Sequence, residues 1–168
     1  MNRENINQIL LFLGLILLQV IVLNNVNFLG YINPFFYIFF ILLYPIRKDD
    51  PIALVLAFFL GLTIDMFSDS GGINAAATLL ITYLRVPILQ SVLGKRELDS
   101  TNLNIFKLPF PKLLTYVVIL TVIHHFSVFS LEYLKWSRFG TILINTILTS
   151  IFTIILTLIS FTFVLRKR

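Results

Sequence analysis

Six apolar runs, each closed by a short polar or glycine- and proline-marked break, divide the chain into Gln8 to Leu23, Pro34 to Ile46, Ile52 to Phe67, Asn74 to Leu93, Leu113 to Leu134 and Phe139 to Leu165. None alternates apolar and polar residues with a period of two, so the pattern predicts helices and not the strands of a barrel. A helix needs about 20 apolar residues to cross a hydrocarbon core of about 30 Å. The expected fold is therefore all-α: a polytopic integral membrane protein of six transmembrane helices, forming a single domain over 1–168. The second run, "PFFYIFFILLYPI", departs from this regularity. It reaches only about 20 Å as a helix, so it is expected to borrow from the apolar "FLGYIN" before it or to thin the bilayer. Asn33 followed by Pro34 reads as a cap with proline at the first helical position, and Pro45 and Pro51 bracket a turn.

Composition sharpens this picture. Of 168 residues 58% are hydrophobic and 12% charged, the mean hydropathy is +0.93, and soluble domains carry about twice that share of charge. No room is left for a separate soluble domain, so any activity must sit in or beside the bilayer. The chain has no cysteine, which excludes disulfides, thiolate metal sites and a cysteine nucleophile. The first run lacks a small-residue cleavage site after it and is expected to be a retained helix. Ten of the thirteen Lys and Arg (Arg3, Arg47, Lys48, Lys95, Arg96, Lys107, Lys112, Arg166, Lys167 and Arg168) fall on one side of the six-span layout. Only Lys135 and Arg138 fall on the other, and Arg85 lies within a span. The positive-inside rule then predicts both termini in the cytoplasm. The net charge of +5 needs no nucleic acid, because basic residues at membrane edges favour anionic lipid.

Asp65 is the residue that most needs a reason. It ends an i, i+4 series of Ala53, Ala57 and Gly61, a small-residue stripe of the kind along which membrane helices approach closely. A carboxylate about two residues inside the outer end of a span still requires a partner. The candidates are the start of the next helix, which Asn74 is expected to cap, and Arg85. The helix start is preferred, since Arg85 lies nearer the other face and is expected to snorkel there. Whether Asp65 is a packing residue, an ion or proton site, or a partner contact stays open at this point. His124 and His125 are adjacent, about 100° apart on a helix, and with no other His or clustered carboxylates they predict packing and not a metal site. Thr146, Ser150, Thr153, Thr157 and Ser160 form a polar seam along one face of the last span, suited to another helix. The loop "GKRELDSTNLNIFKLPFPK", Gly94 to Lys112, reads as an interfacial anchor through Phe106, Leu108 and Phe110. No catalytic set, metal spacing or cofactor motif is present, so the chain is expected to be no enzyme.

With the spans laid out, the chain resembles the MreD family, the rod shape-determining membrane proteins of bacteria. The resemblance rests on Asn33-Pro34, "LLYP" at Leu42 to Pro45, "GLTID" at Gly61 to Asp65, and "GGINAAATLLITYLR" at Gly71 to Arg85, which carries Gly72, Asn74 and Arg85. It covers most of the length, while the last two spans match only in being apolar. It implies a non-enzymatic scaffold of the cell-wall elongation complex, regulating cell shape from the bacterial inner membrane. The implied partner is a bitopic MreC-like protein and, through it, MreB, RodA and the elongation transpeptidase. That family also resembles, in its six-helix layout, the substrate-binding subunits of energy-coupling-factor transporters, so the alternative is a small-molecule, vitamin-like binding subunit. Its outer half would need a pocket with convergent polar groups, and Asn24, Asn25, Asn27, Asn33, Ser68 and Asp69 are thin for that. Among the spans the Phe-rich second one is left without an assigned neighbour. Phe35, Phe36, Phe39 and Phe40 are expected to face either lipid or the partner's helix.

Overall fold

The computed structural model describes residues 3–26, 33–47, 50–94 and 105–166. Asn27, Lys48, Lys95, Arg96, Lys167, Arg168 and the first part of the 94–112 loop lie outside the described residues. The described chain is helical, with α1 Arg3–Leu17, α2 Phe39–Leu43, α3 Pro51–Ser68, α4 Ile73–Leu93, α5 Phe110–Tyr133 and α6 Phe139–Arg166. Five stretches are long and apolar enough to cross a membrane: Ile6–Asn25, Pro51–Ser68, Ile73–Leu93, Phe110–Tyr133 and Phe139–Val164. Their outward faces stay apolar. On α6 Ile144, Ile147, Ile151, Ile155 and Ile159 are exposed at helical spacing, as the lipid-facing surface of a multi-pass membrane protein requires.

The expected second span is not among the five. Residues 33–35 are non-helical, so Asn33 and Pro34 do not open a helix. A 3-10 turn at Phe36–Ile38 leads into α2, which has only five residues. Tyr37 through Leu42 are buried almost completely by the rest of the chain. A run apolar on all sides and too short to match lipid is more stable inside the bundle, where irregular backbone finds protein partners. This also corrects the expected partner surface. Phe36, Phe39 and Phe40 are core residues, with Phe40 edge-on to Phe12 of α1 at 5.2 Å and Phe39 edge-on to Phe161 of α6 at 5.3 Å. Phe35 is half-buried against His125 and Phe129 of α5, at 5.2 and 6.2 Å. None of these rings is left as a free face for another protein's helix.

Gln19 starts this central segment. After α1 the helix widens into a π turn at Leu18–Val22, which turns the Gln19 side chain into the core, where it is fully buried. Its Oε1 accepts from Phe36 N at 2.8 Å and Tyr37 N at 3.3 Å, and its Nε2 donates to Pro34 O at 3.0 Å and Asn24 Oδ1 at 2.9 Å. The first amides of a helix have no partner within it, and here one amide side chain serves two of them. Gln19→Leu leaves those two N–H groups and a carbonyl unpaired, so it is expected to destabilise the fold by about 2 kcal/mol or more. Thermal unfolding of the purified protein in mild detergent, compared with the isosteric Gln19→Met, checks this.

Asn24 Nδ2 also donates to Ser68 Oγ at 2.9 Å, which joins the last residues of the first crossing to the end of α3. The two helices therefore run in the same direction. On the other flank, His125 meets Thr153 and Tyr133 meets Asn145, so α5 and α6 are antiparallel.

Candidate functional site

α3 ends in a turn made by backbone that side chains other than glycine rarely adopt. Asp69 has φ 51°, Gly71 φ 64° and Gly72 φ 95°, and this left-handed sequence reverses the chain within four residues so that α4 begins against α3. The reversal delivers the first amides of α4 to Asp65. Oδ1 accepts from Asn74 N at 2.9 Å and Asn74 Nδ2 at 3.0 Å, and from Ser70 Oγ; Oδ2 accepts from Ala75 N at 2.8 Å. The expected pairing of Asp65 with the helix start is thus formed, and the bridge to Arg85 is not. Charge-assisted bonds of this kind, at a helix N-terminus, are what stabilises a buried carboxylate. Asn74 does not cap the helix as expected: Gly72 occupies the cap position, and Asn74 lies two residues past it, within the first turn.

Gly61 makes the approach possible. A Cβ there would lie 2.5 Å from Ala75 Cα, and 2.6 Å from both Ala75 N and Asn74 O, all backbone atoms that no rotamer change can move. Ala53, Ala57 and Asp65 complete the buried stripe, facing buried Ala75, Thr78 and Thr82 on α4.

The polar joint continues inward. Because Asn74 Nδ2 donates to Asp65, its Oδ1 must accept from the Tyr37 hydroxyl, at 2.8 Å. That hydroxyl has one proton, so His124 Nε2, 2.9 Å from the same oxygen, is the donor to it. The bonding pattern assigns His124 the Nε2–H tautomer. His125 takes the other: its Nδ1 lies 2.7 Å from the carbonyl of Thr121 and must donate, leaving Nε2 to face Thr153 Oγ1 at 3.0 Å. Two adjacent imidazoles therefore diverge, one into the α3–α4 joint and one into α6. No group of three or more His, Cys, Asp or Glu side chains converges among the described residues. The α6 seam is internal: Thr146, Thr149, Ser150, Thr153 and Thr157 are buried, and Ser160 is partly so.

Arg85 corrects another expectation. It does not snorkel out; it is 1% exposed and turns into the bundle. Its Nη1 donates to Ile41 O at 3.2 Å and Tyr44 O at 3.3 Å, its Nη2 to Pro45 O at 2.9 Å, and the guanidinium lies 5.3 Å from the Tyr44 ring centroid. Ile41 lies in the last turn of α2 and Tyr44 and Pro45 follow directly on it, and the negative dipole end of a helix favours a cation. Gln19 and Arg85 thus close the two ends of the buried segment. In the 94–112 loop, Phe106 packs 6.2 Å from Phe161, and Phe110 is exposed.

No family model matches the chain, and no curated protein or solved structure matches it.

Proposed function

We infer that this chain is a non-enzymatic membrane scaffold of the MreD type, working in the rod elongation machinery of a bacterial inner membrane with a bitopic MreC-like partner. The observation that supports the reading is the state of Asp65. Four donors of this chain hold its two oxygens, and Gly61, Asn74 and Arg85, three further residues of the resembling motifs, tie α3 and α4 to each other and to the buried segment. A carboxylate so occupied is a joint between helices, and ligand or proton transfer would require undoing that joint. Affinity purification in mild detergent tests the proposal. Recovery of a single-span partner with a large outer domain is the expected result, and recovery of an ATPase pair with a coupling subunit would replace it with the vitamin-binding alternative.

The layout proposed for this role has six crossings, as in the energy-coupling-factor binding subunits, with residues 33–47 as a short interior sixth. The parallel course of the first crossing and α3 supports this, because the chain must return between them. Both termini then lie on one side, and the ten-to-two distribution of Lys and Arg makes that side the cytoplasm. Single cysteines at Asn25 and Ser137 are expected to react with an impermeant thiol reagent in intact cells, and one at Ser100 is not. Reaction at Ser100 alone would invert the topology.

A further inference from the structure

Between the start of α3 and the second half of α4 lies an open cleft of about 530 Å³. Its walls mix two kinds of side chain. Leu54 and Val86 are apolar, while Arg47, Asp50, Arg85 and Gln90 bring charge and an amide. Arg47 is exposed at the mouth, and the buried Arg85 lies at the back. Arg85 donates to neutral carbonyls, with no carboxylate among these hydrogen-bond partners. Among the described residues Asp50 is the one acid on the wall, and its Oδ1 accepts from Ile52 N at 3.1 Å and Ala53 N at 3.3 Å, capping α3. Among the described lining residues two cations stand against one anion, which leaves the cleft positive, and the adjoining N-terminus of α3 adds to that. Tyr83 and Pro87, which also line it, are exposed on the apolar flank of α4, so the cleft opens sideways at the end of two membrane-crossing helices.

We propose that this cleft is a binding site for the headgroup of an anionic phospholipid. The phosphate sits at Arg47 with the Arg85 charge behind it, Gln90 offers an amide donor, and an acyl chain runs along Leu54 and Val86. A soluble anion would meet the same charges but would gain nothing from the apolar walls, which is why the lipid is the occupant. Basic pockets between membrane helices recognise acidic headgroups in this manner. The site is independent of the scaffold reading and makes no use of the Asp65 joint.

The full chain, purified in mild detergent and loaded with phosphatidylglycerol or phosphatidylcholine, is examined by native mass spectrometry, with variants first checked for helical content and monodisperse elution. Phosphatidylglycerol is expected to be retained about fivefold over phosphatidylcholine, the effect of about one basic residue near a headgroup. Arg47→Gln should remove that preference. Asp50→Asn, which keeps a capping oxygen but loses the negative charge, should raise it. Arg138→Gln, at the opposite end of the bundle, should leave it unchanged. Equal retention of the two lipids overturns the proposal, as does loss of the preference in Arg138→Gln as large as in Arg47→Gln. Displacement by soluble glycerol phosphate at matched concentration would overturn the lipid as occupant.

Discussion

Gly61→Ala is expected to leave little or no folded protein, although it adds a single methyl group. The added Cβ would stand 2.5 to 2.6 Å from three backbone atoms of Asn74 and Ala75, against an ordinary contact of about 3.5 Å or more. α4 would have to withdraw by about 1 Å along its first turn. The withdrawal also pulls the Asn74 and Ala75 amides away from Asp65, so packing and hydrogen bonds fail together. Overpacking a core costs about 1–3 kcal/mol where side chains can yield; here only backbone is available to move, and the upper end or beyond is expected. Gly14→Ala is the control, since nothing lies within 4 Å of a Cβ there and the exchange favours helix by about 1 kcal/mol. The ratio of monodisperse to aggregated protein after detergent extraction, measured for both variants, decides it. Comparable yields of the two would mean that α3 and α4 are not in backbone contact.

Asp65→Leu is the second large effect. It leaves Asn74 N, Asn74 Nδ2, Ala75 N and Ser70 Oγ without their acceptor, and each buried donor left unpaired costs about 1–3 kcal/mol. Asp65→Asn keeps one acceptor oxygen and turns an amide toward the remaining donors, so an intermediate loss is expected. The order of apparent melting temperatures in detergent should be wild type, then Asn, then Leu. If Asn and Leu melt together well below wild type, the negative charge and not the hydrogen bonding holds the joint. If all three melt together, Asp65 does not hold the α3–α4 joint.

Much of this joint was legible in the residues. The i, i+4 spacing of Ala53, Ala57, Gly61 and Asp65, followed by a glycine-rich break, specifies a close helix pair and a carboxylate one turn from the next helix start. Those are local relations, and local geometry carries them. The same holds for the divergent His124 and His125 and for the internal seam of α6. Arg85 stands out in the sequence as an intramembrane cation, but its spacing points it toward the membrane edge and the structure turns it inward. From the sequence its distance to the membrane edge is known, and its nearness to the carbonyls of Ile41, Tyr44 and Pro45, 40 or more positions away, is not. Gln19 and Tyr37 carry no motif or spacing that marks the roles the structure gives them. The available signal is an amide near the end of the first apolar run and a tyrosine hydroxyl in the middle of the second, each a polar atom that an apolar environment obliges to find a partner.

The sequence by itself therefore determined that this chain is helical, that it carries several apolar runs of membrane-crossing length, and that α3 and α4 meet at Gly61 and Asp65, while its expectation of six such spans gave way to five long apolar helices. Periodicity, run length and turn chemistry act over a few residues, and those decide helices and hairpins. Only the tertiary structure decided that residues 36–43 form the centre of the bundle and not its rim. Lipid tails and a protein interior are equally apolar, so a Phe-rich run reads the same in either place. What separates the two is whether the backbone ends of a short segment find partners across the chain, and here Gln19 and Arg85 supply them.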